Sequence, residues 1–319
     1  MTPPSILSAA VVEEALGVIR RFLSPTRLIA SRDSFGRSIL LKLENEQPTG
    51  SFKVRGALSN LLRQNSTPAG FVAASAGNHG LGVAWAALSS ERPERVTIFV
   101  PASAPETKIA KLRQFPIDLR IVGGTFDDAE RAARVFERET GAGFIHAYDD
   151  PLTAAGQGTM AIEIHEAQGS VGTLVVPVGG GGLISGNAAW FKERHPAVRI
   201  VAVQPDASPA LAESIRLGRA LLEFPAGPTL ADGLSGGIGR LVFEHRGLID
   251  QVVNVAEAHI LAAIRSLHRD HGVRAEASGA ITRAALELDE SRDWPEPIVC
   301  VITGGNIDAS VFERVIAAP

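Results

Sequence analysis

Four short stretches of this sequence hold the residues best suited to chemistry. Pro48 to Gly56 reads Pro-Thr-Gly-Ser-Phe-Lys-Val-Arg-Gly, which places Lys53 between Phe52 and Val54. A lysine held against apolar neighbours loses hydration, so its pKa falls and more neutral amine is present to attack a carbonyl. A helix-start lysine can equally extend its head to water, so the reading depends on what else converges on it. The second and third stretches are Ser75-Ala76-Gly77-Asn78-His79-Gly80 and Val178-Gly179-Gly180-Gly181-Gly182-Leu183. Small residues at a helix start leave N–H groups open to a carboxylate or phosphate. Asn78 adds an amide that both donates and accepts. Four successive glycines cost backbone entropy, and a nest of N–H groups around a phosphate is the use that fits them. The fourth stretch, Thr303-Gly304-Gly305-Asn306, adds a hydroxyl to a glycine pair.

Apolar runs precede all four stretches and read as strands: Ile39–Leu43, Phe71–Ala74, Thr173–Val178 and Ile298–Ile302. Further strands are expected at Val96–Val100, Leu119–Val122, Phe144–Ile145 and Ile200–Val203. Helical spacing covers Val11–Phe22, Ser51 to about Arg63, Leu81–Leu88, Thr107–Gln114 and Asp127–Glu139. It recurs over Gly158–Gln168, Ile184–Glu193, Glu257–Asp270 and Gly279–Leu288. Continuous Val/Ile/Leu strands alternating with helices predict an α/β protein, with two open, twisted, mainly parallel sheets covered on both faces. In such sheets ligands bind beyond the carboxyl ends of strands, where the four stretches fall.

The composition excludes several alternatives. The 319 residues carry a net charge of −4 without a basic stripe, which argues against nucleic acid as a partner. Thr173 to Phe191 lacks charge, but Pro177 and the four glycines break it, so no membrane helix is expected. The only cysteine, Cys300, lies inside an apolar strand and fits a reducing, cytoplasmic setting. Ser185 stands where a dinucleotide fingerprint would need its last glycine, and no P-loop occurs.

A Schiff-base lysine, a phosphate nest and an anion-binding turn together specify pyridoxal 5'-phosphate. With Ser51-Phe52-Lys53-Val54-Arg55-Gly56, the turn Ser75 to His79, the four glycines and Thr303 to Asn306, the chain resembles the threonine/serine dehydratase and serine racemase family. Asp149-Asp150-Pro151, Gly156-Gln157-Gly158-Thr159 and Ala231-Asp232-Gly233-Leu234 also match. The resemblance implies the tryptophan synthase β-like fold (fold type II), with the cofactor between two lobes. A large lobe is expected from 1–50 and 149–319 and a small lobe from 51–148.

The same resemblance implies roles. Lys53 anchors the cofactor and takes the Cα proton, next to Phe52. Gly179, Gly180, Gly181, Gly182 and Leu183 hold the phosphate. Asn78 bonds the ring hydroxyl, Thr303 accompanies the ring nitrogen, and Glu276 supports. Ser75, Ala76, Gly77, Asn78 and His79 form the substrate-carboxylate loop, and Ser235 lines the β-substituent pocket. The expected activity is dehydration and deamination of a β-hydroxy amino acid, most simply L-threonine or L-serine. The same chemistry on 3-hydroxyaspartate, an amino-acid racemase and a non-catalytic cofactor binder stand as alternatives. Ala76 replaces the serine that serves racemases as the second base. Gln204-Pro205-Asp206-Ala207-Ser208-Pro209-Ala210 lacks the carboxylates of the family's cation loop, so no metal is expected there. A homodimer is a family expectation. With little chain after the last strand, end-product control is not expected.

Overall fold

Apolar β-branched runs become the buried centres of two sheets. The computed structural model describes residues 7–65, 67–90 and 95–318. Its strands are β1 (Leu28–Arg32), β2 (Ser38–Leu43), β3 (Phe71–Ala74), β4 (Val96–Pro101), β5 (Asp118–Val122), β6 (Gly143–Phe144), β7 (Thr173–Pro177), β8 (Arg199–Pro205), β9 (Gln251–Val255) and β10 (Ile298–Ile302). Its α-helices are α1 (Ala9–Ile19), α2 (Lys53–Arg63), α3 (Asn78–Ser89), α4 (Glu106–Leu112), α5 (Phe126–Thr140), α6 (Pro151–Gln168), α7 (Gly182–Arg194), α8 (Ala210–Leu217), α9 (Arg240–Glu244), α10 (Glu257–His271), α11 (Ala277–Ala284) and α12 (Ala309–Ala317).

The larger sheet has the order β1-β2-β10-β7-β8-β9 and the smaller one β5-β4-β3-β6. All pairings are parallel except β1 with β2, whose register sets Leu28 opposite Lys42. β7 and β10 are buried along their whole length because helices cover both faces. On one face α1, α6 and α7 enclose Val176, Ile184 and Phe191, and on the other α10 and α11 enclose Val175, Ile264 and Ile281. The smaller sheet packs α2 and α3 against Phe71 and Ile98, with α5 on its other face.

The two-sheet α/β architecture matches the expected one, with several local differences. β1 and β9 were not expected: β1 is a half-exposed edge strand, and Asn254 interrupts the apolar run of β9. α6 begins at Pro151 rather than Gly158, because Asp150 caps it by accepting from the Thr153 N–H at 2.9 Å. α3 begins at Asn78 rather than Leu81, which puts Asn78 and His79 in a first helical turn. Ser51 does not open α2. It pairs across a β-bridge with Gly304, and the helix starts at Lys53.

A buried ion network fixes α2. The Arg55 guanidinium makes five hydrogen bonds: to Glu44 through Nε and Nη2 at 2.7 and 2.8 Å, to Glu163 twice at 2.7 Å, and to Thr159 at 3.2 Å. Lys42 Nζ adds a contact to Glu163 at 2.6 Å. Two acids and two bases, all essentially out of solvent, tie β2, the start of α2 and the middle of α6 together. Lys53 therefore sits two residues from a fixed point.

Candidate active site

The carboxyl ends of β3, β7 and β10 open into one cavity of about 1050 Å³ between the two sheets. Every residue given a site role above lines it. Phe52 and Lys53 are joined there by Ser75, Ala76, Gly77, Asn78 and His79, by Gly179, Gly180, Gly181, Gly182 and Leu183, and by Ser235, Glu276 and Thr303.

Lys53 is held from both sides. The Phe52 N–H donates to the Thr303 carbonyl at 3.0 Å and the Gly305 N–H to that of Gly50 at 2.9 Å, so the preceding loop is stitched to the end of β10. Lys53 Nζ donates to the Ala147 carbonyl at 2.9 Å and lies 5.3 Å from the Phe52 ring centre. Burial pushes its pKa down to about 8, with the Glu276 carboxylate opposing. Capture of pyridoxal phosphate by the apoprotein should accordingly speed up with rising pH, half-maximal near pH 8. Stopped-flow absorbance checks this, against roughly pH 10.4 for an unperturbed lysine.

Two helix starts without side-chain caps face the same space. Gly77 precedes α3 and Gly181 precedes α7, so the first-turn N–H groups of both helices are free of competing caps. Gly181 adopts φ +92°, a left-handed conformation that glycine supplies cheaply. The glycines also have steric reasons that the sequence did not show. A Cβ on Gly180 would lie 2.1 Å from Cγ of Tyr148, and one on Gly181 2.3 Å from Val242. Gly180→Ala should therefore weaken cofactor retention roughly tenfold or more, read as a Kd by equilibrium dialysis.

The polar residues are more committed than expected. Asn78 Nδ2 donates to Glu276 Oε1 at 2.7 Å, while its Oδ1 accepts from Asn306 at 2.8 Å. That leaves one N–H and one lone pair for a ligand. Burial, reinforced by Asp232, raises Glu276 to about 7. Thr303 Oγ1 donates to the Ser278 carbonyl at 3.2 Å, so its hydroxyl must turn to serve a ring nitrogen. His79 Nε2 contacts the Ile145 carbonyl at 2.9 Å, an acceptor, so this nitrogen carries the proton. Burial and nearby Lys53 hold the ring neutral, at about 3. The imidazole thus has no donor left for a carboxylate, and His79 contributes its backbone N–H at the start of α3.

Gln157 and Asn306 stood out in the sequence only as parts of longer stretches, and Tyr148 and His146 did not stand out at all. Gln157 is buried, neither of its amide atoms has a partner among the described residues, and it lines the cavity. An orphaned amide beside two uncapped helix starts and a desolvated lysine fits a phosphate-bearing aldehyde better than an empty apolar cleft. Gln204 stands outside this set. Its Oε1 accepts from the N–H groups of Leu211 and Ala212 at 2.9 and 3.2 Å, so the amide is spent on the start of α8. Among the described residues no cluster of three or more His, Cys, Asp or Glu is placed to hold a metal ion. No described helix is long and apolar enough to cross a membrane.

A lysine at the start of a helix and a glycine turn lining one cleft between two mainly parallel sheets define a fold type II pyridoxal phosphate enzyme. The chain belongs to the family described as "Pyridoxal-phosphate dependent enzyme", which matches residues 19–304. It is 37% identical to the L-threonine ammonia-lyase of Geobacter sulfurreducens over 319 residues, 98% of this chain and 78% of the relative. It is 40% identical to that of Thermotoga maritima over 312 residues, 96% of this chain and 77% of the relative. Among solved structures, the threonine deaminase of T.th. superposes with a TM-score of 0.87 at 34% identity, covering 94% of this chain and 99% of the other. Maize serine racemase does so with 0.89 at 29%, covering 97% and 96%.

Proposed function

We propose that this protein removes water and then ammonia from a β-hydroxy amino acid, L-threonine first and L-serine second, to give a 2-oxo acid. The convergence of Lys53, the two uncapped helix starts and Thr303 on one cavity carries this reading, in a chain 37% and 40% identical to L-threonine ammonia-lyases. Bound pyridoxal phosphate supplies an electron sink beside the substrate Cα. Gly179 to Leu183 take the phosphate, Phe52, Asn78 and Glu276 flank the ring, and the N–H groups at the start of α3 orient the substrate carboxylate. Lys53 Nζ receives the Cα proton, and its lowered pKa keeps it an available base near neutral pH. Thr303 offers a neutral hydroxyl rather than a carboxylate, which favours prompt loss of a β-substituent over long charge storage.

Racemisation needs a proton donor on the opposite face, and the Ala76 methyl group carries none. A panel of L-threonine, L-serine and 3-hydroxyaspartate, scored for 2-oxo acid and for D-serine, tests the reading. Rapid 2-oxobutanoate from L-threonine is expected, and D-serine formed at a rate rivalling pyruvate overturns it. We further read residues 51–148 as the small lobe, the enzyme as cytoplasmic on the evidence of its single cysteine, and the assembly as a homodimer on the family resemblance.

A further inference from the structure

Gln157 holds an unspent amide in the wall of the cavity. It is 1% exposed, and among the described residues it is the only buried side chain whose amide lacks a partner at both its donor and its acceptor. A buried amide left unpaired costs free energy, so it calls for a group to bind.

The helices around it define where that group lies. Glycines flank Gln157 on α6, one toward each neighbouring helix. A Cβ on Gly156 would lie 2.5 Å from the Arg55 carbonyl oxygen of α2, and one on Gly158 2.6 Å from the Gly186 carbonyl oxygen of α7. Gln157 is thus wedged where α6 meets both, and its main-chain carbonyl accepts from the Asn187 amide at 3.2 Å. α2 starts with Lys53, and α7 starts at the glycine turn. Side chains on a helix lean toward its N-terminus, which sends Gln157 towards Thr153 and the 146–148 segment. The contacts agree. Gln157 Nε2 lies 2.3 Å, and the Thr153 carbonyl oxygen 2.8 Å, from where a Cβ on Gly56 would stand. Gly56 is three residues past Lys53, on the same face of α2. The Ala147 carbonyl receives Lys53 Nζ, and the Tyr148 carbonyl lies 2.6 Å from where a Cβ on Gly182 would stand, so one short segment joins the two helix starts.

Resting on the pyridoxal phosphate reading, we propose that Gln157 is a cofactor-binding residue whose Nε2 donates to the cofactor phosphate. The aldehyde and phosphate arms of pyridoxal phosphate stand on adjacent ring carbons. A side chain set between the lysine helix and the glycine-turn helix therefore faces the edge that carries both. Of the two arms, the aldehyde goes to Lys53, whereas the phosphate offers several acceptor oxygens. The first-turn N–H groups of α7 supply donors from one helix, and Gln157 adds one from α6. A neutral amide suits this place, because it donates to the anion without setting a second cation beside Lys53.

The test is equilibrium dialysis of the full-length apoprotein, wild type and Gln157→Met, against pyridoxal phosphate and against pyridoxal, which lacks the phosphate. The variant's Kd for pyridoxal phosphate should rise roughly tenfold or more, as for a lost hydrogen bond to a charged group, while that for pyridoxal stays within about twofold. An unchanged Kd for pyridoxal phosphate, or an equal rise for both ligands, overturns the proposal. Thermal midpoints separate a structural role. Replacing both unpaired atoms by apolar ones should leave apo Gln157→Met at or above wild type, with a smaller upward shift on adding pyridoxal phosphate. A lower apo midpoint with an undiminished shift overturns the proposal. Where Gln157→Met does not fold, Gln157→Asn keeps the amide but withdraws it by one methylene, and the same pair of Kd values decides. Wild-type protein that takes up neither ligand overturns the cofactor reading instead.

Discussion

Replacing Lys53 with alanine is expected to cut 2-oxo acid formation from L-threonine by more than roughly 10⁴-fold, as loss of a base compounded by loss of the covalent anchor. The nearby imidazoles and Ala76 do not replace it. His79 is neutral but turned to the Ile145 carbonyl, His146 accepts two backbone N–H groups, and Ala76 has no proton to exchange. The fold should survive, because the Lys53 side chain gives up one hydrogen bond, to Ala147, and a desolvated ammonium. Unchanged circular dichroism and thermal midpoint, with lost visible absorbance of the bound cofactor, separate loss of chemistry from loss of structure. A variant that keeps more than about a hundredth of the activity would give the Cα proton another acceptor.

The largest effect on stability is expected at Arg55. Arg55→Met leaves Glu44 and Glu163 facing each other in a dry interior with Lys42 alone to balance them, at a cost of about 3–5 kcal/mol. Arg55→Lys should recover little of this, since one ammonium cannot grip two carboxylates bidentately. The loss has a defined pH dependence. In the native protein burial raises the Glu44 pKa, but Arg55 and Lys42 outweigh it and hold the carboxylate below its usual range. That native stabilisation is present above the unfolded value near 4.3 and fades as pH falls below it. Without Arg55 burial prevails, Glu44 takes up a proton on folding, and the deficit relative to wild type shrinks as pH falls from 7 towards 5. Urea denaturation at both pH values checks this, and a deficit under about 1 kcal/mol at pH 7 contradicts it. Because Arg55 lies two residues from Lys53, folded fractions of the variant should also show a lower kcat.

These two residues mark what was legible in the sequence and what was not. Lys53, the turn Ser75 to His79 and the glycine turn stand at the ends of strands whose Val/Ile/Leu content announces a parallel sheet, so their convergence followed from topology. Arg55 lies in the same stretch, yet nothing local says that a charge there is buried. Its partners come from 11 residues earlier and 108 residues later. The edge strands β1 and β9 carry no clear strand signal, because half-exposed edges mix polar with apolar residues. The sequence points the glycines to phosphate binding alone, because the ring of Tyr148 over Gly180 is a tertiary contact. Position in the turn alone points His79 to the substrate carboxylate. Which ring nitrogen holds the proton depends on the Ile145 carbonyl, at the end of the neighbouring strand β6.

Lys53 should carry the cofactor in one cavity with the glycine turn, and everything else proposed for the site depends on that. Borohydride reduction of the holoprotein, followed by proteolysis and mass spectrometry, reads this directly. The predicted result is a single phosphopyridoxyl modification on the peptide containing Lys53. Modification centred on another lysine, or none in a protein that still forms 2-oxobutanoate from L-threonine, would contradict it.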